Sequence, residues 1–277
     1  MKFVGKYNEI LQTKGLKHWF RGSILTFLSL FKMGFKPLNR VHFLYIHHVF
    51  EDEEAAFIEL LGWLKSNYHI ISHSEGVNIL KTGKIDKPYI CLSSDDGFKN
   101  NLKAAQICHD HKVSMCFFVN PNLIGESNYD IIKVHCKTKL HLPPIAMLGM
   151  ADIKTILGFG QEVGIHTLEH KHVSEMSLEE FAEDCKLSMA FCSEMEITKP
   201  HFAFPYGRHN DYSAAHHRIA LKQGFGSISS AVRGYHNDII DDDTVLHRDH
   251  IVLSWPMRHI KYFIASAKEV KGDWYNA

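Results

Sequence analysis

Residues 89–97 read Tyr-Ile-Cys-Leu-Ser-Ser-Asp-Asp-Gly, and the order of apolar and polar residues in this segment indicates the fold class. Its apolar half predicts a buried strand over residues 89–93, and a helix is predicted over residues 100–111. A strand that enters a polar turn and then a helix is the usual start of a strand–helix unit in a parallel sheet. The turn therefore places two adjacent carboxylates, Asp95 and Asp96, at the carboxyl end of a strand.

The same alternation continues on both sides of this stretch. Further strands are predicted over residues 41–47, 68–72, 113–119, 162–166, 201–204 and 225–229, and helices over residues 54–67, 151–159, 178–195, 213–223 and 257–270. Repeated strand–helix units predict an α/β fold, a distorted or incomplete (β/α) barrel of about seven parallel strands. We expect residues 41–277 to form this barrel as a single domain, with residues 121–144 as a surface loop near the site.

Residues 1–40 differ in composition from the rest of the chain. Their only acid is Glu9, and their basic residues are Lys2, Lys6, Lys14, Lys17, Arg21, Lys32, Lys36 and Arg40. Apolar and aromatic residues between positions 16 and 35 recur three or four apart, which predicts a basic amphipathic helix. Two interpretations stay open: residues 14–36 contact an anionic membrane surface, or the apolar face packs on its own domain.

Composition narrows the class of protein. Among 277 residues, 31 Lys and Arg balance 31 Asp and Glu, which argues against a nucleic-acid-binding protein. The 21 histidines indicate metal or proton-transfer chemistry. Six cysteines without a C-x-x-C pair are typical of buried thiols in a reducing compartment, and neither a membrane span nor a signal peptide is evident. We expect a cytoplasmic protein, and peripheral contact of residues 14–36 with the inner membrane face is one of the two open interpretations.

Two strand ends carry groups that can bind a metal ion. Adjacent carboxylates at a buried strand end need a cation or a proton, although a simple helix-capping Asp-Asp-Gly turn is the alternative. Residues 166–170, His-Thr-Leu-Glu-His, place two imidazoles four residues apart at another strand end. By itself, this spacing can arise by chance in a histidine-rich chain. Two imidazoles and one carboxylate are a suitable ligand set for one divalent metal ion. We expect Zn²⁺, and Co²⁺, Ni²⁺ or Mn²⁺ are the alternatives.

Two further strand ends carry polar turns. Residues 204–207, Phe-Pro-Tyr-Gly, form a turn fixed by Pro205, and the backbone N–H groups beyond it could face a developing oxyanion. A plain proline–glycine turn is the alternative. Residues 46–49, Ile-His-His-Val, could place one imidazole at the same end of the barrel, and a structural histidine is the alternative there.

Three of these motifs, in this order, resemble the main motifs of the metal-dependent polysaccharide deacetylases, the NodB-homology family. They are residues 93–97 (SSDDG), 166–170 (HTLEH) and 202–207 (FAFPYG). The similarity extends from residue 41 to about residue 252. Residues 46–49 resemble the Tyr-His-x-Val segment of the circularly permuted branch, which includes the poly-N-acetylglucosamine deacetylases.

The resemblance implies a role for each matching residue. Asp95 would be the general base, and the metal ligands would be Asp96, His166 and His170. The early histidine of the permuted branch is the general acid, which matches His47, with His48 as the competing neighbour because a one-residue slip in a strand reverses the side-chain direction. The backbone amide of Tyr206, in the turn fixed by Pro205, would stabilise the oxyanion.

One position departs from the family pattern. The family's third motif has an arginine two residues before the proline, where this chain has Ala203. That arginine holds the general base, so we predict that Arg248, within residues 246–249 (LHRD), provides the missing cation from another direction. His247 beside it is the alternative general acid if His47 does not serve.

The implied activity is a metal-dependent hydrolase that removes an N-acetyl group from a sugar or glycan precursor in cell-surface polysaccharide biosynthesis. We expect the substrate to be an N-acetylated sugar, lipid-linked or nucleotide-linked, and not a nucleic acid. Two alternatives remain. One is a catalytically silent carbohydrate-binding relative, which Ala203 favours, and the other is an O-acetyl esterase or cyclic amidase that uses the same metal site.

Overall fold

The computed structural model describes residues 2–11, 37–271 and 274, and within them nine strands form one sheet. The strands are β1 (Arg40–Ile46), β2 (His69–Ile71), β3 (Pro88–Ser94), β4 (Met115–Val119), β5 (Glu162–Ile165), β6 (Phe202–Ala203), β7 (Ile228–Ser229), β8 (Val245–Leu246) and β9 (Arg248–His250). Every residue of β1 and β4 is buried, so apolar residues do not alternate with exposed polar ones, and Arg40 and His42 are the buried polar residues of β1.

The sheet is an incomplete parallel barrel. Its hydrogen-bonded order is β8-β7-β6-β5-β4-β3-β1-β9. The short strand β2 pairs with residues 89–91 of β3, and β4 pairs with residues 92–94 of β3. All of these pairings are parallel. The two edge strands of this order, β8 and β9, are consecutive in the chain and are separated only by His247. The barrel is therefore closed at this point by the chain and not by hydrogen bonds between β8 and β9. The predicted fold class is confirmed, with nine strands in place of about seven.

Nine α-helices lie in the described part of the chain, and several of them pack against strands of the sheet. They are α1 (Tyr7–Leu11), α2 (Glu54–Asn67), α3 (His73–Thr82), α4 (Asn101–Asp110), α5 (Tyr129–His135), α6 (Met150–Gly158), α7 (Leu178–Glu194), α8 (Ala214–Gln223) and α9 (Met257–Ala265). Helices α3 and α7 each begin at a serine, Ser72 or Ser177, whose side chain accepts a hydrogen bond from the third helical amide. The last helix ends at Ala265, five residues before the predicted end.

The predicted surface loop over residues 121–144 is wrong in its central part, which is helical. Asn128 accepts hydrogen bonds from the Asp130 and Ile131 amides and so starts α5. A wider helical turn, Cys136–Leu140, continues from α5. The polar and lysine-rich composition of this stretch concealed its apolar face, where Ile132 and Cys136 are buried.

The N-terminal segment packs near the carboxyl end of β1. Tyr7 and Ile10 join a buried apolar cluster with Phe50 and Phe98. Asp52 fixes the start of α1, since its carboxylate accepts hydrogen bonds from the amides of Tyr7 and Asn8 at 2.8 and 3.0 Å. The amphipathic helix predicted over residues 14–36 lies outside the described residues. In the described part of the chain, no helix has the length and apolar character needed to cross a membrane.

Candidate active site

A cavity of about 340 Å³ opens at the carboxyl ends of the central strands. This volume lies in the range of small-ligand sites, and the location is the usual one in parallel α/β barrels. Its walls include the ends of β1, β5 and β9, the turns that follow β3 and β6, and the turn after α5. Tyr7 of the N-terminal segment also lines it.

The turn after β3 presents both carboxylates to this cavity. Asp95 and Asp96 are 3% and 2% exposed. The Asp95 amide donates to the carbonyl of Ile46 at 3.1 Å, so the turn is tied to the end of β1. Asp96 has a φ of 75°, a left-handed conformation that non-glycine residues rarely adopt. Such strain persists where the surrounding structure enforces it, as functional sites commonly do.

The turn after β5 presents the two predicted imidazoles. The amide of His166 donates to Val119 at 2.8 Å, and the Asn120 side chain donates to the carbonyls of His166 and Thr167. The Leu168 amide donates to the Asp184 carboxylate of α7 at 3.0 Å. His170, like Thr167, has a positive φ. These contacts fold the five-residue turn so that both rings point toward Asp96.

Asp96, His166 and His170 form one buried group. The Oδ1 atom of Asp96 lies 3.5 Å from His166 Nε2 and 3.3 Å from His170 Nε2. One ligand atom from each residue lies within 4.8 Å of the others. In the part of the chain that the structure describes, these are the only His, Cys, Asp or Glu residues grouped closely enough to hold a metal ion.

This group fits a divalent metal ion. Asp96 Oδ1 is buried and makes no hydrogen bond of ordinary geometry within the described residues, so its charge needs a cation. Burial lowers the pKa of His166 to about 4, which keeps the imidazole neutral and able to act as a ligand at neutral pH. His166 Nδ1 lies 2.6 Å from the carbonyl oxygen of Ala203, and donation there leaves Nε2 for the ion.

Arg248 forms a bidentate ion pair with Asp95. Its Nη1 and Nη2 atoms donate to the two carboxylate oxygens of Asp95, each at 2.8 Å. Its Nε atom donates to the Ser230 carbonyl, and its guanidinium lies over the rings of Tyr45 and Phe118. Burial by itself would raise the pKa of Asp95, but Arg248 holds it below its ordinary value. The carboxylate therefore stays ionised.

The turn after β6 brings Tyr206 to the cavity. Tyr206 has a φ of 62°, and its amide has no acceptor among the described residues. Gly207 follows with a φ of 67°, and a Cβ atom there would lie 2.3 Å from the Ala231 amide nitrogen, so only glycine fits. Pro205 does not line the cavity. It is buried and supports the turn, with its carbonyl accepting from Gly207.

The structure separates the three candidate general acids. His47 lines the cavity, and burial lowers its pKa against the opposing effect of Asp96 and Asp95. His48 also lines the cavity, but its Nδ1 atom is 2.8 Å from Glu53, which fixes that ring. His247 borders a different cavity, beside Trp274, and is not positioned to act here.

Sequence reasoning missed His250 and Tyr7, which line this cavity beside the candidate histidines. His250 lies with its Nε2 atom 3.1 Å from His47 Nδ1. Tyr7 contacts the His48 ring, with ring centroids 5.1 Å apart. The pairing of β1 with β9 places His250 there, and a long-range pairing of this kind leaves no local signal. Tyr7 belongs to the basic N-terminal region, which the sequence presented only as an amphipathic segment.

Together, the fold and the site define a class: incomplete parallel α/β barrels with an Asp-His-His group at the carboxyl ends of the strands. Within that class the chain belongs to the polysaccharide deacetylase family, because the model of that family matches residues 82–224, slightly more than half of the chain. The matched region contains Asp95, Asp96, His166, His170 and Tyr206. His47, Arg248 and His250 lie outside it.

Solved structures share this fold at low sequence identity. IcaB from Ammonifex degensii is 20% identical with a TM-score of 0.66, over 83% of this chain and 99% of that one. A de-N-acetylase from Aggregatibacter actinomycetemcomitans is 18% identical with a TM-score of 0.64, over 81% and 99% of the two chains. The BpsB deacetylase domain from Bordetella bronchiseptica is 15% identical with a TM-score of 0.61, over 77% and 96%. No curated protein sequence gives a significant match. The family resemblance of the motifs is confirmed.

Proposed function

We propose that this protein is a metal-dependent N-deacetylase that removes the acetyl group from an N-acetylated sugar or glycan precursor. One observation carries the proposal: three metal-type ligands, an arginine-paired carboxylate and an imidazole surround a single cavity. The family acts on acetylated carbohydrates, which sets the substrate class. The N-acetyl bond and the precursor are the proposed refinements.

Asp96, His166 and His170 would hold the metal ion, for which we propose Zn²⁺ because two imidazoles and one carboxylate suit it. A divalent ion bound there supplies positive charge that polarises an acetamide carbonyl and an attacking water molecule. The burial of all three ligands keeps bulk water away from this charge and so strengthens its effect.

The remaining residues have distinct tasks. Asp95, which Arg248 keeps ionised, accepts the proton of the attacking water. The Tyr206 amide donates to the oxygen that becomes negative as the tetrahedral intermediate forms. His47 gives a proton to the departing amine nitrogen, because an amine leaves poorly unless it is protonated.

An imidazole in the cavity favours an amide over an ester as the bond that is cleaved. When an O-acetyl ester is cleaved, protonation of the departing alkoxide speeds the reaction. When an N-acetyl amide is cleaved, the amine does not leave unless it is protonated. Assays with matched N-acetyl and O-acetyl sugars, and with a cyclic amide, separate the three reactions by product.

The silent carbohydrate-binding alternative rests on Ala203, since the family's arginine is missing there. Arg248 occupies the corresponding role toward Asp95 in this chain, which favours turnover. Acetate release decides between the two: a silent relative binds N-acetylated sugars and releases none.

The direct test is acetate release by the metal-loaded full chain from a panel of N-acetylated mono- and oligosaccharides. We expect Asp95→Asn to lower turnover by about 100-fold or more, since general acid–base catalysis contributes about 10²- to 10⁴-fold, and to keep the metal content of the wild type. Unchanged acetate release by Asp95→Asn, or no release by the wild type from any N-acetylated sugar, contradicts the proposal.

We further propose that the substrate is a lipid-linked or nucleotide-linked sugar of cell-surface glycan assembly, met by a cytoplasmic enzyme at the inner membrane face. The basic and aromatic composition of residues 14–36 supports this. The test is co-sedimentation with anionic and neutral vesicles. Because Tyr7 lines the cavity, the variant should keep residues 2–11 and replace Trp19, Phe20 and Phe27 with serine. Equal binding by this variant and the wild type, or no binding by either, contradicts membrane contact.

A further inference from the structure

Two imidazoles meet at the edge of the cavity. His47 Nδ1 and His250 Nε2 are 3.1 Å apart, and the ring planes are nearly perpendicular, at 89°. A distance of this size between two ring nitrogens is a hydrogen bond, in which one nitrogen carries the proton and the other accepts it. The contact therefore leaves His47 Nε2 as the nitrogen available to a substrate.

Strand pairing fixes this meeting. In the parallel register of β1 with β9, Tyr45 lies opposite His250, and the Ile251 amide donates to the Tyr45 carbonyl at 2.8 Å. The rings of Tyr45 and His250 are stacked, with centroids 4.9 Å apart and planes 24° apart. His47 follows Tyr45 by two residues, so both side chains point to the same face of the sheet.

A buried charge network on the opposite face holds β9 in place. Asp249 is fully buried, and its carboxylate accepts hydrogen bonds from Arg233 at 3.0 Å and from the Gly234 amide at 2.8 Å. His42 Nε2 lies 3.3 Å from the same carboxylate. Because residues alternate along a strand, anchoring Asp249 directs its neighbours Arg248 and His250 to the cavity.

We propose that His250 is the positioning residue for His47: its Nε2 atom accepts the His47 Nδ1 proton, which orients the ring and directs Nε2–H toward the leaving nitrogen. The inference rests on the proposed N-deacetylase function. As the C–N bond of the acetamide breaks, the Nε2 proton moves to the amine nitrogen and His47 becomes neutral. His250 keeps its own proton on Nδ1 throughout.

The surroundings favour a neutral His250 that can accept this hydrogen bond. Burial, the adjacent imidazoles of His47 and His48, and the Arg233 and Arg248 guanidinium groups all lower the pKa of His250 well below its ordinary value. Two facing ring nitrogens share one proton, so only one imidazole of the pair can carry it between them. Asp95 and Asp96 lie near His47 and favour its charged form. Burial lowers the pKa of His47 as well, and the contact itself, made through His47 Nδ1, leaves Nε2 for the substrate.

Two variants separate hydrogen bonding from packing. His250→Phe keeps a ring against Tyr45 and removes the acceptor nitrogen, whereas His250→Gln removes the stacked ring and keeps an acceptor oxygen. Each is compared with the wild type for kcat and KM on an N-acetylated sugar and on 4-nitrophenyl acetate, whose leaving group needs no proton. His69→Phe, at an exposed histidine outside the site, is the matched control.

We expect His250→Phe to lower kcat on the N-acetylated sugar by about 10- to 100-fold with KM unchanged, and to leave aryl acetate turnover within about twofold of the wild type. His250→Gln should retain most of the amide activity. Wild-type amide turnover by His250→Phe overturns the inference. So does an equal loss on both substrates in both variants, which indicates packing alone.

A second readout does not depend on turnover. Nitrogen-15 NMR of the metal-free protein, labelled at histidine, should show a hydrogen-bonded ring proton on His47 that disappears in His250→Phe and persists in His69→Phe. If that signal is the same in His250→Phe and the wild type, the hydrogen bond is not as inferred. If the signal behaves as expected and the wild type releases no acetate from any N-acetylated sugar, the proposed function fails while the pairing stands.

Discussion

The guanidinium of Arg248 contacts both carboxylate oxygens of Asp95 at 2.8 Å, across 153 residues of sequence. The two side chains are 1% and 4% exposed. A buried two-pronged ion pair fixes the direction of the carboxylate as well as its charge. Arg248, a residue of β9, thus supports the Asp95 carboxylate from another strand, although position 203 is an alanine.

The ion pair makes a prediction about stability. Arg248→Met should lower the free energy of unfolding by about 3–5 kcal/mol, because it leaves a buried carboxylate without its cation. Adding Asp95→Asn should recover most of that loss, since replacing both members of a buried pair with neutral groups is often nearly neutral. Urea denaturation of the wild type, both single variants and the double variant measures the coupling. Additive losses would show that the two residues do not stabilise each other.

The metal-type group makes a prediction about ligand identity. Loss of a residue that only hydrogen-bonds to a metal ligand weakens metal binding by about 10- to 100-fold. His170→Ala removes a ligand itself, so it should weaken divalent-metal binding by more than that. His172→Ala is the matched control. The His172 ring stacks on the Tyr206 ring, with centroids 3.4 Å apart, and His172 is not part of the group formed by Asp96, His166 and His170. Metal content after dialysis gives the result. An excess of Zn²⁺ at about 100 times its Kd should also stabilise the wild type by about 2.7 kcal/mol, but not His170→Ala. Equal metal loss in both variants would contradict the ligand assignment.

Asp184 makes a prediction about pH. Burial raises the pKa of this carboxyl to about 6 from its ordinary value of 3.8, even though it accepts the Leu168 amide and lies near Ser188. The folded protein therefore binds a proton more tightly than the unfolded chain, so this group lowers stability as pH rises from about 4 to 6, and below that window the penalty vanishes.

Asp184→Asn removes the ionisation and can keep the contact to Leu168. The variant should gain stability over the wild type as pH rises, by up to about 3 kcal/mol at pH 7, with the gap closing toward pH 4. Urea denaturation of the metal-free proteins from pH 4.5 to 8 gives both curves. Asp110→Asn, at an exposed position of α4, is the control and should run parallel to the wild type. A gap that does not depend on pH would rule out this account of Asp184.

The sequence predicted the sheet because its long strands are buried on both faces and read as apolar runs that end in polar turns. The Asp-Asp-Gly turn after β3 and the two histidines after β5 were found this way, since parallel strands bring their carboxyl ends to one edge. The strands β8 and β9 have two and three residues and no readable period, so the number of strands was underestimated.

What the sequence concealed depends on pairing between distant segments. Arg248 was proposed from the absence of an arginine at position 203, but its partner His250 carried no such signal. The contact between His250 and His47 exists only because β9 pairs with β1, 203 residues away. In the same way, α5 was missed because its polar residues outnumber the few that it buries, although Asn128 is an ordinary helix-starting residue.

The N-terminal segment makes a prediction about substrate binding. Tyr7 is 5% exposed and lines the cavity, and the Asp52 carboxylate accepts hydrogen bonds from the amides of Tyr7 and Asn8 at the start of α1. Tyr7→Ala removes part of the cavity wall, and Asp52→Ala releases the segment that carries it. Both variants should therefore raise KM by about 3- to 10-fold, which corresponds to a loss of roughly 0.6–1.4 kcal/mol of contact, and change kcat little.

Glu51→Ala is the matched control for this segment. Glu51 is an exposed acid next to Asp52, but the hydrogen bonds of the Tyr7 and Asn8 amides go to Asp52. Metal content should be unchanged in all three variants, since none of these residues belongs to the Asp96 group. Initial rates over a range of substrate concentrations separate KM from kcat. If Tyr7→Ala lowers kcat at an unchanged KM, the residue acts on the reacting groups and is not a wall of the binding site. If Asp52→Ala matches Glu51→Ala while Tyr7→Ala raises KM, then the segment stays in place without its capping carboxylate, held by the packing of Tyr7 and Ile10 on Phe50 and Phe98.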